Sequence, residues 1–180
     1  VRNTGQTRCA PRLFAALRPL QVTPPWQAHQ TLGGLSQVRS LAWQDGALWV
    51  NSAEAEGADW TAPCKALVPL QPVAGAGVAP YDAGPITDYL AQGRLPAAHQ
   101  TTDAFGYASG ALAFDLDLPA GGETDLYLVA PLGRVSLGML NRQVPEGLSG
   151  PAAFAQAAAQ WFAVLDQVRF DLPPPAQAAA

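Results

Sequence analysis

Tyr107-Ala-Ser-Gly-Ala-Leu-Ala-Phe-Asp-Leu-Asp-Leu118 alternates with a period of two. Leu112, Phe114, Leu116 and Leu118 fall on one side, and Ala113, Asp115 and Asp117 fall on the other. A strand places successive side chains on opposite faces, so this pattern predicts a β-strand with one core face and one wet face. Pro119-Ala-Gly-Gly122 follows as a turn, and Thr124–Leu132 reads as the returning strand of a hairpin. On that second strand Leu126, Leu128 and Ala130 share a face, with Tyr127 and Val129 behind them.

The same reading extends to both sides. Arg12–Val22 is apolar on both faces, which predicts a strand covered on two sides. Val38–Trp43 and Ala47–Asn51 flank Gln44-Asp45-Gly46, and Asp-Gly is the chemistry of a tight hairpin turn. Trp43 and Trp49 are placed to be cross-strand neighbours. Lys65–Val73 reads as an edge strand because Pro69 and Pro72 cannot donate to a ladder. Arg134–Leu140 adds one more short strand. Thr31–Leu35, the acidic stretch Asn51–Pro63 and the Gly/Ala-rich Gly75–Gly84 read as loops.

Two segments carry helical signals. Pro85–Gln92 has Pro at its start, Gly93 after its end and Pro96 to block continuation, with Ile86, Tyr89 and Leu90 on its inner face. Ser149–Phe170 has Ser149 as N-cap, Pro151 in the first turn, and Phe154, Ala158, Trp161, Leu165 and Val168 at helical spacing, with Phe162 widening the stripe. Asp171-Leu-Pro-Pro-Pro175 stops it. The expected fold class is mainly β: an antiparallel β-sandwich with one short helix and a C-terminal linker helix.

Composition narrows the function classes. The 180 residues are 49% hydrophobic and 13% charged, with 17 Gly and 17 Pro, which fits one domain of short strands and tight connections. The net charge of −4 offers no basic stripe for phosphates, so neither nucleic acid nor an anionic membrane surface is an expected partner. No apolar run approaches the roughly 20 residues of a spanning helix. Residue 1 is Val and the sole methionine is Met139, so the chain is expected to begin inside a sheet whose earlier strands are missing. No signal peptide is visible, which leans localisation toward the cytoplasm. Cys9 and Cys64 read first as small buried thiols, with a bridge between them as the alternative.

Catalytic signatures are weak. Asp115 and Asp117 share a strand face, as a carboxylate pair for sugar or calcium would, but a wet face is where exposed acids belong. Ser109 is not in a nucleophile elbow, and Gly75-Ala-Gly77 lacks the Lys and the helix of a phosphate loop. His29 and His99 have no ligand-spaced partners, so no metal and no cofactor are expected. The aromatic residues are the stronger signal, because sugars stack their apolar faces on exposed rings while amides and carboxylates take the hydroxyls. Trp43, Trp49 and Trp161 fall on packed faces. Trp26 with Gln27, Trp60, and Tyr107 near Asp103 are the candidate carbohydrate contacts, although for Trp26 and Trp60 a core role stays equally open.

Three phrases carry a family resemblance: Leu13-Phe-Ala-Ala-Leu-Arg-Pro-Leu-Gln-Val-Thr-Pro-Pro-Trp-Gln27, Asp103-Ala-Phe-Gly-Tyr-Ala-Ser-Gly-Ala-Leu112, and Trp161 through Leu165-Asp-Gln-Val-Arg-Phe-Asp-Leu-Pro173. Together they resemble the region just before the catalytic barrel in large bacterial proteins of the six-hairpin glycosidase type, some of them named for a discoidin-like domain. The architecture is similar to that of glucoamylases and maltose phosphorylases: an N-terminal β-supersandwich, a helical linker, then an (α/α)6 barrel. The resemblance implies an incomplete supersandwich over residues 1–148, a linker helix over 149–173 and a frayed tail over 174–180. It further implies a downstream barrel as partner, with the catalytic carboxylates on the barrel and none in this chain. The alternatives are a free-standing carbohydrate-binding sandwich and an interaction domain that docks a partner through its last helix.

Overall fold

A computed structural model describes residues 1–19, 37–51 and 64–166. The chain divides into two compact units, Val1–Glu146 and Gly147–Ala180. In the first unit, among the described residues, eight strands form two antiparallel sheets. One holds β1 (Arg12–Leu17), β7 (Ser109–Asp115) and β5 (Gly75–Ala79), with β7 in the middle. The other runs β6 (Gln100–Thr102), β2 (Ser40–Gln44), β3 (Ala47–Asn51), β4 (Lys65–Pro69) and β8 (Leu128–Val129). The chain is a mainly β antiparallel sandwich, as its alternating segments predict.

The most local signal forms as expected. β2 and β3 pair Gln44 with Ala47 around a two-residue turn in which Asp45 and Gly46 both have positive φ, 51° and 73°. That turn matches the right-handed twist of the strands it joins. A Cβ at Gly46 would meet no neighbour, so the glycine serves conformation and not space. Gly46→Ala is expected to cost about 1 kcal/mol, read as a lower urea midpoint with an unchanged m-value, and Gly46→Asn is expected to cost less. The register sets Ala42 opposite Trp49 and Trp43 opposite Leu48. Trp43 and Trp49 are therefore on opposite faces of the sheet, a one-residue offset that the spacing of the two rings in sequence does not reveal.

Those two faces have different fillings. Leu41, Leu48 and Val38 meet Val78 and Ala108 between the sheets, joined by Trp43, Val50 and Leu67. Leu112, Phe114, Leu116 and Leu118, the apolar side of the alternating stretch, cluster with Ala76 beside them and extend the same interior. On the far side of the five-stranded sheet Trp49, Ala47, Cys64 and Ala66 pack with Val135 and Leu140. Leu140 belongs to α2 (Leu137–Gln143), so the strand expected over Arg134–Leu140 is a single bridge, Val135 to Cys64, followed by a helix. An apolar run this short fits either period, and the apolar face waiting beside Trp49 favours the helical one.

Over β5 and β7 the outer face of the three-stranded sheet is built from small residues. Gly75 pairs with Ala113 and Gly77 with Ala111. A Cβ at Gly77 would lie 2.2 Å from the Pro96 carbonyl oxygen, and one at Gly75 would lie 3.1 Å from Leu95 Cδ1. The Leu95–Pro96 segment thus rests on the sheet with no room for side chains beneath it. α1 (Ile86–Ala91), with Ile86 buried, approaches β7 on the way to that segment. Gly75–Ala79 is therefore a buried strand and not the loop its composition suggests. Ala113 is buried for the same reason, and the wet face of the alternating stretch begins only at Asp115.

The hairpin expected from Tyr107–Leu118 and Thr124–Leu132 does not form. Both edges of β7 are taken, by β1 and β5. Before the turn Leu118 pairs with Cys9; past it Glu123 pairs with Arg2, and the chain then crosses to β4 of the other sheet through Leu128–Val129. β4 is consequently not an edge strand, and its ladder stops at Pro69, opposite Leu128. β1 is an edge strand and is half-buried, short of the two-sided cover its composition predicts. Cys9 is exposed and Cys64 buried, and no disulfide joins them.

In the second unit α3 (Gly150–Leu165) starts where Ser149 caps it, its hydroxyl accepting from the Ala152 amide at 3.3 Å, with Pro151 in the first turn. Phe154, Trp161 and Leu165 recur along one side and are exposed. Val168 and the residues after it lie outside the described residues. Among the described residues no helix is long and apolar enough to cross a membrane.

Candidate functional site

Asp103 and Tyr107 are the two sequence-derived contact residues that the structure describes; Trp26, Gln27, Trp60 and also His29 lie outside the described residues. Asp103 ends up in a different role from the one its sequence context suggests. It is 7% exposed, and its carboxylate points into the protein. Oδ2 accepts from the Tyr81 amide at 2.6 Å, and Oδ1 accepts from the amides of Phe105 and Tyr107 at 2.9 and 3.1 Å. Burial works to raise its pKa, but the backbone N–H groups of Tyr81, Tyr107, Phe105 and Gly106 outweigh burial and hold it below the ordinary 3.8.

The three residues that donate to Asp103 in those bonds are the three whose rings meet on the surface. Tyr81 and Tyr107 have ring centroids 5.6 Å apart at 57°, and Tyr81 and Phe105 lie edge to face at 6.4 Å and 67°. Tyr81 is 59% exposed, Phe105 is 61% exposed and Tyr107 is half-buried. Strand register explains the meeting. β5 and β7 end with Ala79 opposite Ser109, and the same antiparallel step continued by two residues sets Tyr81 beside Tyr107. Tyr81 opens a 3-10 turn, Tyr81–Ala83, that leads into α1.

The segment just before β2 holds the other side. Val38 donates to the Gly106 carbonyl at 2.8 Å and accepts from Ala108 at 3.1 Å, and Asp103 donates to the Arg39 carbonyl at 2.8 Å. Arg39 Nη1 donates to the Ala104 carbonyl at 2.6 Å and Nη2 to Gln37 Oε1 at 3.2 Å. The Gln37 side chain lies across Gly106, close enough that a Cβ there would sit 2.8 Å from Gln37 Cβ. The result is a hydrogen-bonded turn bearing a tilted aromatic cluster, with the buried charge of Asp103 satisfied by backbone. Such a surface can stack on the apolar face of a ring.

Asp115 and Asp117, the other carboxylates singled out, are taken by guanidinium groups. Asp115 accepts from Arg12 Nε and Nη2 at 2.6 and 2.9 Å, and Asp117 is paired in the same two-pronged way with Arg8. Those hydrogen bonds hold both acids below the ordinary carboxylate range. The pairs are exposed, so they order the edge of the sheet and contribute little to stability. Among the described residues no three His, Cys, Asp or Glu side chains gather as a metal site.

Sequence reasoning found Asp103 and Tyr107 and missed Phe105 and Tyr81. The signal for Phe105 was present: Asp103-Ala-Phe-Gly106 has the form of a turn in which an Asp side chain accepts the N–H two residues on. Tyr81 has no local signal, because only the pairing of β5 with β7 brings it there. No protein-family model matches this chain, and no curated protein matches it significantly.

Proposed function

We propose that this chain is the non-catalytic sandwich and linker of a carbohydrate-active protein whose chemistry resides in an (α/α)6 barrel of glycosidase or phosphorylase type. The observation that carries the reading is the order of the two units. An antiparallel sandwich over Val1–Glu146 is followed at once by a capped helix in a unit of its own, with exposed Phe154, Trp161 and Leu165 at helical spacing. An apolar stripe of that width calls for a packing partner, and the barrel is the partner that the resemblance implies. The acid and base carboxylates would then belong to the barrel, and the sandwich would support it and help shape its entrance.

The test is the coding frame beyond Ala180. Several hundred residues of helical hairpins with acidic loops are expected. A stop at that point, or an unrelated fold, would overturn the proposal. A second reading, a free-standing carbohydrate-binding sandwich, is favoured by the tilted cluster of Tyr81, Phe105 and Tyr107. A frame that ends near Ala180 selects it.

A further inference from the structure

We infer that Tyr81, Phe105 and Tyr107, with the carboxamide of Gln37, form a stacking subsite for one neutral sugar ring of an oligosaccharide. The inference deepens the carbohydrate reading above and rests on it for the ligand class. The geometry comes from the cluster itself.

Three features point to a small, hydroxyl-rich, uncharged ligand. The first is exposure on a tethered backbone. Tyr81 and Phe105 are 59% and 61% exposed, yet their backbone amides are both tied to the Asp103 carboxylate. A backbone held in place before binding loses less conformational freedom on binding, which is how a small contact area becomes usable affinity. The second is tilt. Rings inclined at 67° and 57° face in different directions and do not make a continuous plane. One puckered ring can lie on one exposed face with its edge against a neighbouring ring, whereas a run of flat, stacked bases calls for parallel faces.

The third is the chemistry around the rings. Among the described residues the hydroxyls of Tyr81 and Tyr107 take part in no hydrogen bond. They stand at the rim of apolar faces as donors and acceptors for ligand hydroxyls. The Gln37 carboxamide lies over Gly106, between Phe105 and Tyr107 in the chain, and its Oε1 is held by Arg39. The Asp103 charge is turned inward and satisfied by backbone. Arg39 is directed to the Ala104 carbonyl and to Gln37. Asp82, exposed and next to Tyr81 in sequence, and the Arg39 guanidinium set one charge of each sign beside the cluster, so a phosphate, uronate or other anion finds no net attraction there.

The experiment is an amide NMR titration of the chain with a panel of neutral hexaoses: α- and β-glucan, xylan, mannan and chitin fragments. Tyr81→Ala and Phe105→Ala run alongside. Both variants keep the amides that bind Asp103, so their spectra are expected to stay dispersed and native-like outside the cluster. At least one hexaose is expected to shift the amides of Tyr81, Phe105 and Tyr107 and the Gln37 side-chain amide. Each substitution is expected to weaken that binding about tenfold.

The subsite is refuted if these amides stay still with every sugar, or if the variants bind as well as the native chain. A mononucleotide that shifts the same amides more than any sugar also refutes it, in favour of a base-stacking site. Sugar-induced shifts elsewhere on the sandwich sink the subsite but leave the carbohydrate reading intact. Binding at the cluster by a chain whose frame lacks a barrel retains the subsite and removes the parent-enzyme reading.

Discussion

Asp103→Ala is expected to destabilise the sandwich by about 3 kcal/mol, because it leaves three part-buried N–H donors without their acceptor. The amides of Tyr81, Phe105 and Tyr107 all converge on that carboxylate, in a site that is 7% exposed. An unpaired buried donor costs about 1–3 kcal/mol, and the costs are less than additive because the freed turn can open toward water. The loss is not confined to one element. Asp103 ties the end of β5, through Tyr81, to the turn that feeds β7, so its removal loosens two strands of one sheet at their common end.

Asp103→Asn separates shape from charge. The amide oxygen can still accept from Phe105 and Tyr107, but the NH2 group then faces the Tyr81 N–H, donor against donor. A loss of about 2 kcal/mol is expected, with the shape of the turn retained. The pH dependence follows from the direction of the shift. The folded-state pKa is depressed below 3.8, so the stability contributed by the carboxylate is complete above that value and is lost as pH falls through the lower folded-state value. Urea unfolding at a series of pH values is the measurement. The native chain is expected to lose its advantage over Asp103→Asn below the ordinary carboxylate pKa. An advantage that stays constant through that range would show that the carboxylate is not the clamp.

Gly77→Ala is the second large effect. Its Cβ would stand 2.2 Å from the Pro96 carbonyl oxygen and 3.0 Å from Pro96 Cδ, which no rotamer can relieve because the obstacle is backbone. Either β5 or the Leu95–Pro96 segment must move. Val78 also donates to the Ala98 carbonyl at 2.8 Å, so moving either one strains a bond that holds them together. The expected cost is about 3 kcal/mol, at the upper end of overpacking. For a unit of this size that lowers the thermal midpoint by about 6–12 °C.

Gly75→Ala is the control on the same face of the same strand. Its Cβ would meet Leu95 Cδ1 at 3.1 Å, the free end of a flexible side chain. A cost below about 1 kcal/mol is expected there, since the leucine can turn away and alanine regains some of glycine's entropic cost in a strand. Equal losses at the two positions would mean that β5 is sensitive to any side chain on that face and that the approach of Pro96 is not the cause.

The elements that were legible in sequence are those whose signal is local. Asp45-Gly46 specifies its own turn through positive φ, and the strands on either side follow from it. Ser149 and Pro151 specify the start of α3 within one helical turn. The Leu112–Leu118 alternation specifies a strand and its apolar face. Gly75–Ala79 gave the opposite impression, since a Gly-Ala-Gly run has no side chains from which to read a period. Its strand conformation depends on pairing with β7 and on the segment that lies against it. The candidate site was half legible for the same reason: Asp103, Phe105 and Tyr107 are near in sequence, and Tyr81 is not.

The amino-acid sequence by itself determines that this chain is β-rich, which side chains of its main strand are apolar, where its tightest turn falls and where its last helix begins. Each of these is settled by a few adjacent residues through backbone conformation and side-chain period. Folding in three dimensions settles which strands pair, that β7 sits between β1 and β5, that Ala113 is covered and Asp115 is not, and that the Asp103 carboxylate faces inward to hold three aromatic residues. Pairing and cover depend on which distant segments can bury apolar surface and satisfy backbone groups at the same time, and no local period encodes that choice.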